Sequence, residues 1–369
     1  MKKILIAVLS TFALIACESS QVTFSFTLDN LGQNVDFHTE LQAKYNAAED
    51  YTTTSGIASG STSKEYPLPV TLFWNGEASD KKVADSFRID IYEGSSETTS
   101  ITKTFKDNKD NNIYNLKINT DYRYTVTAIY DSGASYTSEP SSFKTSNKGP
   151  RNLFVENVMN IRDLGGHGIK QGLIYRSGRF NEEDGTTKIT DATIETMVKE
   201  LGVKTEIDLR RPNEHGQITS SPLGDKVNYL HLPMYYGGEN VLTHVGTHSE
   251  IEYDNPAQIK VFFETLADKN NYPIDFHCAI GKDRTGCMAY LIEALCGMEE
   301  EYLYRDYLFS NFAKISGICE VKDIDERYGA TIKEYNGGSL QEKTYNYLNE
   351  VIGVSKDNLD AIKNILIDK

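Results

Sequence analysis

Positive charge is scarce in this 369-residue chain: 38 lysines and arginines stand against 53 aspartates and glutamates, a net charge of −15. A nucleic-acid partner needs basic patches that displace counterions, so that class is excluded. Any anionic ligand must be drawn by a local field, not a global one. Long apolar runs are missing too. Beyond the run from Ile4 to Ala16, no stretch approaches the ~20 residues that cross a bilayer, which excludes a span further along the chain. Cysteine is sparse, with five in all. Cys287 and Cys296 would lie ~13 Å apart along one helix, too far for a bridge, and read as buried thiols.

What is present suffices for ordinary globular cores: 39% of residues are hydrophobic, and the length fits about two domains. The most informative stretch is Ile274 to Gly286, I-D-F-H-C-A-I-G-K-D-R-T-G. Pro273, Ile274 and Phe276 predict a short buried strand. Met288, Leu291, Ile292 and Leu295 fall at helical spacing, so the loop joins a strand's end to a helix's start. A helix N-terminus offers unpaired N–H groups and the positive end of the peptide dipoles, an anion site. Gly281 and Gly286 let the backbone bend round the anion, and Arg284 can give phosphate two parallel donors. Cys278 then sits at the bottom of a positive bowl that favours its nucleophilic thiolate, with the Thr285 hydroxyl in reach of the sulfur. A plain strand–turn–helix with a buried cysteine would leave Arg284, Lys282 and both glycines unexplained.

His277, Cys278, Gly281, Arg284 and Thr285 together resemble the H-C-x5-R-[ST] signature of the protein tyrosine phosphatase superfamily, and Gly281 to Gly286 its bacterial tyrosine phosphatase branch. Four further stretches stand in the order this branch shows: Asn160 to Gly166, Leu173 to Gly178, Ile207 to Arg210, and His231 to Met234. The resemblance implies an α/β cysteine-phosphatase fold, a mostly parallel sheet flanked by helices, over 153–369. It implies phosphomonoester hydrolysis through a cysteinyl-phosphate, needing no metal or cofactor. The partner would be a phosphoprotein, a phosphoinositide or an inositol phosphate. Cys278, Arg284, Asp283 and Thr285 would be catalytic; Ala279, Ile280, Gly281, Lys282, Asp208 and Arg210 would hold substrate or brace the loop. The superfamily's usual acid is absent after Met234, where Tyr235, Tyr236, Gly237 and Gly238 follow. Asp283 inherits that role by resemblance, against a purely loop-shaping one, with Glu239 or Asp254 as alternatives. Lys282 reads equally as a second cation at the bowl's edge or as a surface lysine.

The remaining chain divides around this domain. Residues 1–16 have the form of an export signal, and Leu14-Ile15-Ala16-Cys17 resembles a bacterial lipobox, implying a lipid anchor on Cys17 and a place on the cell envelope facing periplasm or exterior. A polar segment fills 17–49. Alternating strands between 50 and 146 predict an all-β sandwich. Trp74, the run Leu116 to Tyr122, and Ser138-Glu139-Pro140 resemble a fibronectin type III domain, although Ile118 and Asn119 replace its usual proline and glycine. Residues 147–152 read as a linker. Gly237 to Asn255 reads as a mobile lid, and His244 with His248 lacks a third metal ligand nearby. The rival to an enzyme is a silent surface-binding or adhesion lipoprotein.

Overall fold

The computed structural model describes residues 22–58, 66–109, 111–180, 188–214, 218–236, 241–313 and 317–368. The export signal, Cys17 and Glu239 lie outside the described residues. The chain divides into two compact units, one of Met1–Phe37 with Leu68–Lys148 and one of His38–Pro67 with Gly149–Lys369.

The first unit is all β. Its strands are β1 (Phe24–Leu28), β2 (Gly32–Val35), β3 (Val70–Thr71), β4 (Trp74–Ala78), β5 (Ser86–Glu93), β6 (Ile101–Phe105), β7 (Asn112–Ile113), β8 (Asp121–Ile129), β9 (Ser135–Thr137) and β10 (Ser141–Thr145). The main sheet runs β2-β10-β8-β5-β6, with β9 also on β8; β1 pairs β4, and β3 pairs β7. Alternation drives β8: Tyr122, Tyr124, Val126 and Ala128 are buried in a core with Trp74, Ile89, Ile91 and Phe143. Val70 to Trp74 does not run as one strand. Leu72 exchanges hydrogen bonds with Asn111, and the chain then crosses from the β3–β7 ladder to β4. Lys117 donates its N–H to the Tyr122 hydroxyl at 2.8 Å, and Asn119 takes the left-handed conformation, φ 50°, that asparagine tolerates.

The second unit begins earlier than the sequence suggested. Helix α1 (Glu40–Asn46) starts at a Thr39–Gln42 capping box. It buries Tyr45, whose ring meets Phe309 at 5.8 Å and Phe312 at 5.4 Å and whose hydroxyl donates to the Arg305 carbonyl. With α2 (Ser55–Ala58), this segment therefore belongs to the α/β unit, and the expected boundaries at 17–49 and 50–146 are corrected accordingly.

Six strands form the α/β sheet: β11 (Arg151–Asn152), β12 (Arg162–Asp163), β13 (Ile174–Ser177), β14 (Thr205–Asp208), β15 (Asn228–His231) and, after the hairpin β16 (Val245–His248) and β17 (Ile251–Asp254), β18 (Ile274–His277). Their order is β11-β12-β13-β18-β14-β15, the last four mutually parallel. Register aligns Ser177 and Asp208 with His277, so three parallel strands end level with one another, where open α/β sheets bind ligands.

The helices follow the apolar spacing. Helix α3 (Asp191–Ile194), capped by Thr190, continues as a π-turn over Glu195–Glu200 before Gly202 turns the chain at φ 71°. Helix α4 (Asn255–Leu266) buries Ile259, Phe262, Phe263 and Leu266, and its N-cap is Asp254. Helix α5 (Asp283–Cys296) is buried almost throughout; α6 (Glu300–Phe309), α7 (Val321–Ile324), α8 (Ala330–Lys333), α9 (Leu340–Glu350) and α10 (Lys356–Leu366) follow, the last capped by Ser355.

Candidate active site

The loop Cys278–Lys282 joins β18 to α5, as the change of period predicted. Gly281 holds φ 70°, and a Cβ there would lie 2.6 Å from the Ser177 carbonyl oxygen, so only glycine lets the loop lie flat on the end of β13. Gly286 does something different from the expected bending round an anion. It sits inside α5, where a Cβ would meet the Tyr307 ring at 2.9 Å, so it serves helix packing.

A second layer fixes the loop from behind. Asn160 donates its side-chain amide to the carbonyls of Ile280 (3.1 Å) and Gly281 (3.0 Å), and Arg176 donates to the Gly281 carbonyl at 2.7 Å. Arg176 and Arg162 both donate to Asp306. Burial alone would raise that carboxyl, but the two guanidiniums outweigh it and hold it below the usual range. Arg179 N–H donates to the Ala279 carbonyl. The carbonyls of Ala279, Ile280 and Gly281 are thus all taken by donors outside the loop.

Cys278 is 1% exposed, and burial pushes its thiol up; the Arg284 charge and the hydroxyl and N–H of Thr285 outweigh this and lower it. The other free cysteines show the contrast. Burial dominates at Cys287, which lies well above the ordinary thiol value, and at Cys296 and Cys319, each pushed up to about 12. Among the described cysteines, only Cys278 is shifted toward thiolate.

Arg284 is anchored by donating to Glu214 at 2.6 Å and to the carbonyls of Leu209 (3.3 Å) and Met234 (3.4 Å), while its buried Nε has no protein partner. Nη2 also reaches Glu214, at 3.4 Å, so the Nε–H and the second Nη2 hydrogen are left for a ligand. Glu214 was missed from the sequence. Burial would raise its carboxyl, but Arg284 and Arg211 bring it down to about 2. Its only signal was a carboxylate in the turn R-R-P-N-E just past the end of β14.

Beneath Cys278, His277 lies fully buried between Glu206 (3.0 Å) and Asp208 (3.8 Å). Burial would lower it; the two carboxylates overcome this and raise it to about 9, keeping an imidazolium inside the fold. Asp208 also accepts from Arg210 and the Tyr229 hydroxyl. Arg210 and Asp208 are 1% and 0% exposed and pair with each other at 2.8 Å. Asp275 on the same strand is raised to about 7, chiefly by burial.

Asp283 opens α5 and pairs with Arg327 at 3.3 Å. Lys282 is neither a solvated lysine nor a free cation at the rim. It donates to the Ile318 carbonyl at 3.1 Å and lies 3.8 Å from Asp323. Asp254, the alternative acid, caps α4 by accepting from Ala257 N–H. The expected lid is, over its described part, the β16–β17 hairpin: Asn255 ties it to Tyr235 and Val241, and the His244 and His248 rings lie 4.2 and 4.5 Å from Tyr235. Among the described residues no cluster of histidine, cysteine or carboxylate could hold a metal.

Residues 153–368 match the tyrosine phosphatase family. A Cupriavidus necator protein carrying a tyrosine-protein phosphatase name is 26% identical over 191 residues, 44% of this chain and 64% of that one. The tyrosine-protein phosphatase of Nostoc commune is 29% identical over 153 residues, 38% of this chain and 50% of that one. The chain thus spans between half and two thirds of the length of these relatives. Among solved structures, the core catalytic domain of the PP-IP phosphatase Siw14 from S. cerevisiae is similar at 19% identity, covering 51% of this chain and 91% of that one with a TM-score of 0.31.

Proposed function

Because this chain belongs to the tyrosine phosphatase family, we propose that it hydrolyses phosphomonoesters through a covalent phosphate on Cys278. The thiolate attacks phosphorus, the bond from phosphorus to the ester oxygen breaks, and the departing oxygen takes a proton. Water then attacks the phosphocysteine, releasing inorganic phosphate and restoring the thiolate. Arg284, with its unpartnered buried Nε, and the N–H groups at the start of α5 hold the phosphoryl oxygens. Thr285 donates to the sulfur as it leaves. Asp283, the loop's own carboxylate, takes the proton of the bound monoanionic ester and passes it to the departing oxygen.

The observation that carries this reading is the cysteine contrast: the thiol at the end of β18 is drawn down by Arg284 and Thr285, while the other described thiols are pushed up. A silent binding protein has no chemical need of that arrangement. The substrate is a phosphotyrosine or phosphoserine protein, a phosphoinositide or a soluble inositol phosphate. Phosphate release measured across these classes, with and without vanadate, selects among them; no vanadate-sensitive release from any class contradicts the enzyme reading.

We further propose that the chain is exported and lipid-anchored at Cys17, facing the periplasm or the exterior, with a fibronectin type III-like spacer or binding module ahead of the phosphatase unit. The Lys117–Tyr122 hydrogen bond supports the latter, since a tyrosine returning its hydroxyl to the backbone just upstream marks that kind of sandwich. Mass measurement of the membrane fraction checks the former: a diacylated N-terminal Cys17 is expected, and unmodified soluble exported protein contradicts it.

A further inference from the structure

Between α7 and α8 the helix is interrupted by a π-turn, Asp325–Gly329, and Arg327 within it has φ −116° and ψ −109°, outside helical geometry. Gly329 permits the bulge, since a Cβ there would lie 2.8 Å from the Ile324 carbonyl oxygen. Such bulges and sparsely populated backbone conformations persist where surrounding contacts hold them, and both recur at functional sites. Here the contacts are those of the arginine side chain. Its guanidinium donates to the Tyr236 hydroxyl, reaches Asp283 at 3.3 Å and Asp323 at 3.5 Å, and lies over the Tyr236 ring at 5.4 Å. All of these groups stand round the start of α5.

The Asp283 charge works against a thiolate on Cys278. A carboxylate at that rim is awkward for the nucleophile unless a cation stands against it. Arg284 is already committed to Glu214, and Lys282 to Ile318 and Asp323. Arg327 is the cation that meets Asp283 itself.

We propose that Arg327 is a positioning residue of the phosphatase site: turned out of the helix by the bulge, its guanidinium fixes the Asp283 carboxylate at the loop's rim and balances its charge beside the Cys278 sulfur. The proposal rests on Cys278 being the nucleophile. Tyr236 holds the arginine through its hydroxyl and ring, and that hydroxyl is raised to about 12 by burial and the Asp283 charge. The other charged or titratable groups near this corner are Arg284, Lys282 and Asp323, with Tyr307, Tyr328 and Cys319 from the elements behind. None is altered in the variants below.

The test reads the sulfur and not turnover. The rate of iodoacetamide alkylation at Cys278 is followed by peptide mass spectrometry across pH in the full-length chain, for wild type, Arg327→Met, Asp283→Asn and the double variant. Arg327→Met should move the midpoint upward by about half to one pH unit, the effect of one partly screened charge. Asp283→Asn should move it downward, and the double variant should return close to wild type, a restoration that a merely structural role for Arg327 would not produce. A folded Arg327→Met protein with an unmoved midpoint, or a double variant that keeps the upward shift, overturns the proposal. If Arg327→Met does not fold, Asp283→Asn alone decides: a downward shift supports the balance of charge, and an unmoved or raised midpoint refutes it. Alkylation of wild-type Cys278 no faster than that of Cys287, Cys296 and Cys319 would instead strike the nucleophile reading itself.

Discussion

Replacing His277 by glutamine removes the buried cation that stands between Glu206 and Asp208. Raising a histidine from 6.5 to about 9 corresponds to about 3 kcal/mol of preference for the imidazolium within the fold. The folded value lies above the unfolded one, so this contribution is fully present below pH 6.5 and is lost as pH rises through about 9. Asp275 also has a raised folded value, about 7, so its contribution likewise falls with rising pH, but over the window from 3.8 to 7. Two probes separate the units in the full-length chain. Trp74 is the only tryptophan and lies in the β unit, whereas every described helix lies in the α/β unit. Urea unfolding followed at the helical ellipticity should show the wild type losing about 2–3 kcal/mol between pH 6.5 and 9.5. His277→Gln should start less stable at pH 6.5, and the gap to wild type should close toward pH 9.5. The Trp74 transition should not move. Parallel pH dependences for the two proteins would refute the buried imidazolium.

Gly281→Ala forces a Cβ to within 2.6 Å of the Ser177 carbonyl at a positive φ, so phosphate release should fall about five- to thirtyfold, for about 1–2 kcal/mol of backbone strain; wild-type kinetics would show that the loop accommodates a side chain. Asp283→Asn should slow alkyl phosphates more than aryl ones, because a phenolate of pKa about 10 leaves with less help; equal slowing with an unchanged pH profile places the proton donor elsewhere. Tyr45→Ala should destabilise the helical transition by about 3–5 kcal/mol by emptying its packing on Phe309 and Phe312, and leave the Trp74 transition in place; the reverse pattern would return the 38–67 segment to the β unit.

The strand–loop–helix at Ile274 to Cys296 was legible because the hydrophobic period changes there and the loop concentrates residue types with one common chemical use. Helices α4 and α10 carry their signals locally: apolar spacing, with Pro256 in the first turn of one and Ser355 capping the other. Helix α1 does not, since seven residues are too few to display a period and its placement depends on Tyr45 meeting residues more than 250 positions away. Glu214 was invisible because a single carboxylate in a turn has no spacing rule; it matters only once folding brings Arg284 to it. Lys282 and Gly286 were read from the local motif, but neighbours distant in sequence, Ile318 with Asp323 and Tyr307, decide what each does. The bulge at Arg327 is likewise a tertiary outcome. The sequence of its segment carries no mark of the bulge; what holds it is Asp283 and Tyr236, brought beside it by the fold.

The central claim is that phosphate passes through the Cys278 sulfur, and acid-quenched turnover of a radiolabelled aryl phosphate tests it most directly. The wild type should yield label acid-trapped on the peptide holding Cys278 as a thiophosphate ester, and Cys278→Ser should carry none while still binding phosphate esters at the Arg284 donors. Release of phosphate by Cys278→Ser at a rate near wild type, or label recovered on another residue, would contradict the account.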